Sequence, residues 1–367
     1  MAFPDFTHED LKRRSAHVTL QTGGTITWST PGMTSGTLVP WQVPEEIMEI
    51  IPDEVREHLP CSGMPLIINK NLDLVDLFAG QARITRWAMM AGLNAIAMDK
   101  TYGDHMDILT PKGLALIILM ILRIKENGLV TAGPQCSSWV WICRKVTQRS
   151  KQNPLGNTAN ASVRDGNHMN KSMALICLLC LKLKVKWLIE QPRTSLFFET
   201  PLMRSVTDTI PNVTTASVSL GNFGHMTRKS TLLVGTGPVI ENIVATSNSE
   251  KKINAGVKAK KAGKEKAKNK AGTKKTEKVM RACTTNAKRG GTKGKGKAKT
   301  AETTCLTKSK KKADSNDTEQ KLVSIKVRED GSKAITGIKR SLKDSQVYPV
   351  KFALAVCKLQ WPDKFAV

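Results

Sequence analysis

Several things are missing from this 367-residue chain, and each absence excludes something. No run approaches the roughly 20 apolar residues that a membrane span needs. The most apolar, Leu114 to Leu122, falls far short, so a soluble protein with no membrane partner is expected. The opening MAFPDFTHEDLKRRS holds acids and no apolar segment, which does not read as a secretory signal. The eight cysteines follow no regular spacing, so free thiols in a reducing compartment are expected. Cys177 and Cys180 form a C-x-x-C, but they sit in an apolar helical stretch without a second pair or a histidine cluster nearby, and we read them as core. The dinucleotide fingerprint GxGxxG is absent, which weighs against NAD. Apolar residues make up only 40%, low enough that part of the chain is expected not to pack.

Acidic residues are also scarce, at 31 against 57 basic, and the imbalance is concentrated. Residues 251–312 carry 23 Lys and Arg against 3 acids, so most of the net +26 lies there. Between residues 250 and 317 there is no aromatic residue. Such a stretch cannot bury enough apolar surface to offset its ordering entropy, and disorder is expected. It can neutralise phosphates but has nothing to stack on bases, so it points to a nucleic-acid partner bound without sequence preference, DNA ahead of RNA. A solvated spacer or a nuclear-import signal is the other reading, and a nuclear location suits both.

What is present begins at Asn71. Asn71 to Lys100 reads as strand, tight turn, helix, strand: Leu72 to Phe78 is a short apolar run, Ala79-Gly80 turns the chain, Gly92 ends the helix, and Asn94 to Met98 is a second run closed by Asp99. A glycine turn after one strand and an acid at the tip of the next, about 20 positions on, is the geometry of nucleotide-type cofactor binding. Further along, Pro111 sits where a helix begins, and Ala115 to Ile124 is apolar nearly all round. Leu129 to Ala132 is a strand that ends in Gly133-Pro134-Gln135-Cys136, followed by a long polar loop from Arg144 to Arg164. Met169 to Lys184 is a helix, Lys186 to Ile189 a strand ending at Glu190, and Thr215 to Leu220 with Thr231 to Val234 a closing antiparallel pair. The order fits an α/β domain with a Rossmann-like sheet and an antiparallel edge, over residues 65–238. Residues 1–64 form a weakly structured extension, with a hairpin around Val18 to Trp28 and a helix within Glu45 to His58. Residues 250–317 are a basic linker. A C-terminal segment, 318–367, holds a strand at Leu322 to Val327, a turn at Asp330-Gly331 and apolar content from Tyr348 to Leu359.

The letters D-L-F-A-G at Asp76 to Gly80 resemble the S-adenosylmethionine motif of the cytosine-5 DNA methyltransferases. Gly133-Pro134-Gln135-Cys136 resembles their nucleophile motif, Trp187 to Pro192 their acidic motif, and Gly224 to Lys229 a remnant of their arginine motif. The resemblance covers about Leu72 to Gly235 and implies a class I methyltransferase sheet. It also implies S-adenosylmethionine held near Asp76, Phe78, Gly80 and Asp99, and a site built from Cys136, Glu190 and Arg228. By this resemblance the Cys136 thiolate adds to C6 of cytosine and Glu190 protonates N3, which makes C5 nucleophilic. The chain departs from the family where it has Pro134-Gln135-Cys136-Ser137 for Pro-Pro-Cys-Gln and Glu190-Gln191-Pro192 for Glu-Asn-Val. Ala82 and Arg83 replace glycine in the cofactor loop, and Met226 and Ser230 replace the glutamine and second arginine of the later motif. A methyltransferase-like module without activity, tethered to nucleic acid by its lysines, is therefore the alternative. Trp139 and Trp141 stand beside Cys136, either to stack on an extruded base or simply to pack.

Overall fold

The computed structural model describes residues 40–60, 64–249, 323–327, 333–337 and 347–366. The expected hairpin around Val18 to Trp28, the lysine-rich stretch at 250–317 and the Asp330-Gly331 turn lie outside the described residues. The chain divides into two units, Met1–Asn248 with Lys321–Val367, and Ser249–Gln320; the sheet and its cleft belong to the first. No helix among the described residues is long and apolar enough to cross a membrane.

A short antiparallel pair, β1 (Pro40–Gln42) and β2 (Ile67–Asn69), precedes the sheet. Between its strands the expected single helix is two one-turn helices, Glu45–Met48 and Asp53–Arg56. They are parted at Pro52, which has no N–H to continue the first. Ile47 and Val55 in the two turns, and Ile51 between them, are buried.

The body is a mixed α/β layer structure around a six-stranded, mostly parallel sheet, compatible with a Rossmann-like fold. Its strands are β3 (Leu72–Leu77), β4 (Ala95–Met98), β5 (Ile124–Ala132), β6 (Lys186–Pro192), β7 (Val213–Ser219) and β8 (Ser230–Thr236), in the spatial order β4-β3-β5-β6-β8-β7. The first four in that order run parallel, and β8 is antiparallel to both of its neighbours. The expected antiparallel pair closes the sheet, and the reversed strand is its inner member: β8 lies between β6 and β7, so the pair docks through its second strand.

Alternate side chains of each strand enter two cores. Val75, Val130, Ile189 and Val234 face one, with α2 (Pro111–Leu122), α3 (Ala161–Lys182) and α4 (Pro201–Thr209). Leu74, Leu129, Leu188 and Leu233 face the other, with α1 (Arg83–Met90), α5 (residues 239–249) and α6 (Val350–Gln360). Coverage on both faces explains why the strands read as continuous apolar runs. Helix α2 starts at Pro111 as expected, its first turn capped by Thr110, whose Oγ1 accepts from Gly113 N at 3.0 Å. It is buried almost all round, as its composition required. Helix α3 begins at Ala161, eight residues before the expected start, because Asn160 caps it by accepting from Ser162 N at 2.9 Å. Strand β5 starts at Ile124 rather than Leu129, with the register shift opposite Leu72 and Leu74 absorbing Gly128.

The long loop is shorter than expected, and a one-turn helix, Arg144–Thr147, forms its start. Its remainder wraps the buried Arg149, which lies 3.4 Å over the Trp139 ring. Arg149 Nη1 donates to Pro154 O at 2.6 Å and Asn167 Oδ1 at 2.9 Å, and Nη2 to Val163 O at 3.1 Å. At the C-terminal end, β9 (Val323–Val327) forms where alternation predicted a strand and pairs with β10 (Lys333–Gly337).

Candidate functional site

Parallel strands that end together leave a crevice beyond their carboxyl ends. Here β3, β4, β5 and β6 open onto a cleft of about 640 Å³. Five of the seven residues chosen from sequence line it: Phe78 and Gly80 after β3, Asp99 after β4, Cys136 after β5 and Glu190 on β6.

The β3–α1 turn is tightly wound. Phe78, Gly80 and Ala82 all have positive φ, at 56°, 54° and 48°. Left-handed backbone costs about 1–3 kcal/mol at a non-glycine residue, so this strain is concentrated at the cleft. Gly80 carries no Cβ, and the space where one would stand is open. Its N–H donates to Asp99 Oδ2 at 3.0 Å, and its carbonyl accepts from the Tyr102 hydroxyl at 2.5 Å. Asp99 Oδ1 accepts from both the N–H and the hydroxyl of Thr101, at 2.8 and 2.7 Å. A carboxylate has about four acceptor positions, so one remains for a ligand hydroxyl after these three bonds.

Asp76 is not in the cleft. Its side chain is buried behind the turn, where Oδ1 accepts from Thr131 Oγ1 at 2.7 Å and Oδ2 from Thr85 Oγ1 at 3.0 Å. Burial pushes its carboxyl up to about 6, against the opposing pull of these two hydroxyls. It ties β3 to β5 and α1 instead of facing a ligand.

On the other side of the cleft, the Gly133 to Cys136 turn is held to β6 by Gln191, whose Nε2 donates to Pro134 O at 2.6 Å. Gln191 Oε1 in turn accepts from the Ser195 hydroxyl at 2.8 Å. Cys136 is half-buried, and burial pushes its thiol up, followed by the negative charge of Glu190; Lys229 acts in the opposite direction. Glu190 Oε1 lies 3.3 Å from Lys229 Nζ and has no hydrogen-bond partner among the described residues.

The reversal of β8 accounts for Lys229. Because β8 runs against β6, pairing Thr231 with Pro192, its first residues lie beside the carboxyl end of β6. The residue entering β8 therefore reaches the cleft, and that residue is Lys229. Arg228, one position earlier, is exposed and is not among the residues that line the cleft.

No family model matches the chain, and no curated protein matches it. The site therefore stands on its own geometry.

Of the two tryptophans beside Cys136, Trp139 is fully buried against Arg149 and Phe197, which settles it as packing. Trp141 is 55% exposed. Cys177 and Cys180 are fully buried core residues, as expected. Sequence reasoning missed Lys229 and Tyr348, both of which line the cleft. A faint compositional signal existed for the second: the chain has only two tyrosines, and one bonds Gly80 while the other faces Glu190.

Proposed function

We propose that the chain is an S-adenosylmethionine-dependent methyltransferase acting on nucleic acid, with cytosine C5 as the acceptor and Cys136 as the nucleophile. The observation that carries this reading is the convergence of Phe78, Gly80, Asp99, Cys136 and Glu190 on one cleft at the carboxyl ends of parallel strands, from four separate stretches of sequence. The resemblance to cytosine-5 DNA methyltransferases names these residues together, and the sheet with one reversed strand agrees with the class I plan.

The residues present fit the cofactor. A cleft of about 640 Å³ suits a nucleoside-sized ligand. Open space stands over Gly80, and Asp99 keeps one acceptor position for a ribose hydroxyl. When bound, the cofactor supplies an electrophilic methyl group. On the other side, the Cys136 thiol gives its proton to solvent and the thiolate adds to C6 of the base. Glu190 accepts from the exocyclic amine and passes a proton taken from solvent to N3, which stabilises the adduct and moves electron density to C5; after C5 is methylated, loss of the C5 proton to solvent and departure of the thiolate from C6 restore the ring. Lys229 holds the Glu190 carboxylate between these events.

The upward push on the Cys136 thiol supports a second reading, because only the thiolate is a nucleophile. In that reading the module binds nucleic acid without reacting. Titration calorimetry with S-adenosylmethionine, followed by covalent trapping on an oligonucleotide containing 5-fluorocytosine, tests both. Binding with trapping supports the enzyme, binding without trapping or transfer supports the module, and absence of binding removes the cofactor assignment.

The lysine-rich stretch would supply the phosphate contacts. If it engages some 6–10 phosphates, affinity for duplex DNA should fall by about 10³–10⁵ between 50 and 200 mM salt. Internal deletion of residues 251–312 should remove most of that slope. Equal binding by the deleted and full chains at every salt concentration would make the stretch a spacer.

A further inference from the structure

The cleft has a wall that comes from far along the chain. Helix α6 returns to pack on α1 and buries Phe352, Ala353, Val356 and Cys357. Cys357 Sγ donates to Ile84 O at 3.4 Å, and Phe352 stacks edge-on against Phe223 with ring centroids 5.5 Å apart. Just before this helix, the backbone of Tyr348 is pinned by Arg83, whose Nη1 donates to Tyr348 O at 2.6 Å. The anchor is fixed, while the side chain beyond it stands in the cleft.

Its position there is specific. A Cβ placed on Gly133 would lie 2.6 Å from the Tyr348 hydroxyl and 3.9 Å from Glu190 Oε2, so phenol and carboxylate meet over that glycine. The hydroxyl and the Glu190 carboxylate both line the cleft at this point, and burial together with the negative charge of Glu190 pushes the phenol up. Because Gly133, just past the end of β5, has no side chain, the tyrosine occupies space next to the Gly133 to Cys136 turn, beside the carboxylate that a substrate base would need.

We propose that Tyr348 is a side-chain gate: its hydroxyl stands over Gly133 beside the Glu190 carboxylate, and a substrate must displace it to reach Glu190 and Cys136. The inference rests on the proposed function for the identity of that substrate, but the occlusion itself does not depend on catalysis. Displacement need only rotate the side chain. The backbone stays held by Arg83 and by the buried face of α6, so opening does not require the helix to leave its core.

The test uses the full chain and a small neutral reagent, iodoacetamide, with alkylation at Cys136 followed peptide by peptide by mass spectrometry. Tyr348→Ala should be alkylated at Cys136 about tenfold faster than the unmutated chain, the factor that a gate held by about 1.4 kcal/mol provides. Tyr348→Phe, which keeps the ring and loses the hydroxyl, should fall between the two. Cys177 and Cys180 report the fold, because they are fully buried. If they also react in the alanine variant, Tyr348→Leu replaces it, preserving an apolar contact with Phe352 while vacating the space over Gly133. Alkylation of Cys136 at the unmutated rate in the folded variants overturns the gate. Calorimetry with S-adenosylmethionine on the same preparations decides the cofactor assignment separately, so either idea can fail alone.

Discussion

The backbone N–H of Gly80 donates to Asp99 Oδ2 at 3.0 Å, joining the turn after β3 to the tip of β4. The two residues brace each other, so Asp99 has a structural role besides the ligand contact proposed for it. Asp99→Ala should cost about 1.5–3 kcal/mol of unfolding free energy in denaturant titrations, the range for hydrogen bonds to a charged group. It should also weaken S-adenosylmethionine binding in calorimetry. Lost affinity with unchanged stability would mean that the carboxylate serves only the ligand.

Asp76 gives the fold a pH dependence of definite sign. Its carboxyl is pushed from 3.8 up to about 6 by burial, so between those values the folded state holds a proton that the unfolded state has released. The associated stability is fully present below pH 4 and is lost as pH rises through 6. One pH unit corresponds to 1.36 kcal/mol, so the loss is about 3 kcal/mol at most. Asp76→Asn should flatten this part of the profile, read as the difference in unfolding free energy between variant and unmutated chain from pH 4 to 7. Parallel profiles would show that Asp76 does not titrate there.

The Cys136 thiol is raised by burial first and by Glu190 second, and Lys229 opposes them. Glu190→Gln should therefore move the pH midpoint of Cys136 alkylation downward, and Lys229→Met should move it upward. Opposite shifts from two neighbours are difficult to obtain from a general loosening of the fold. If both variants shift the same way, charge is not the cause.

Arg149 should control the order of the loop it fills. Arg149→Met keeps part of the contact with Trp139 but removes the donors to Pro154, Val163 and Asn167. Part-buried acceptors then lose a charged donor, so the variant should melt lower. Amide exchange across residues 148–160 should also accelerate while β3 and β5 remain protected. Unchanged exchange in the loop would show that its own turns suffice.

Much of this protein was legible because some signals are local. Apolar runs of strand length, Gly92 with its positive φ, and Pro111 at the start of α2 depend on backbone sterics and burial within a few residues, and they fall where the sequence placed them. The strand tips carrying Gly80, Asp99, Cys136 and Glu190 were legible for a related reason: once parallel strands are recognised, their carboxyl ends must share one edge. What the sequence could not determine was which neighbour each element would choose. Whether the β7–β8 hairpin docks through its first or second strand changes no local preference, yet it decides that Lys229, and not Arg228, reaches Glu190. The inward turn of Asp76 toward Thr85 and Thr131 depends on side chains 9 and 55 residues away. Tyr348 meets the cleft only because an apolar helix far along the chain finds α1, a contact between Cys357 and Ile84 that spans 273 residues. Pairings at such separations are selected by the packing of the whole core, and that selection has no counterpart in any short stretch of sequence.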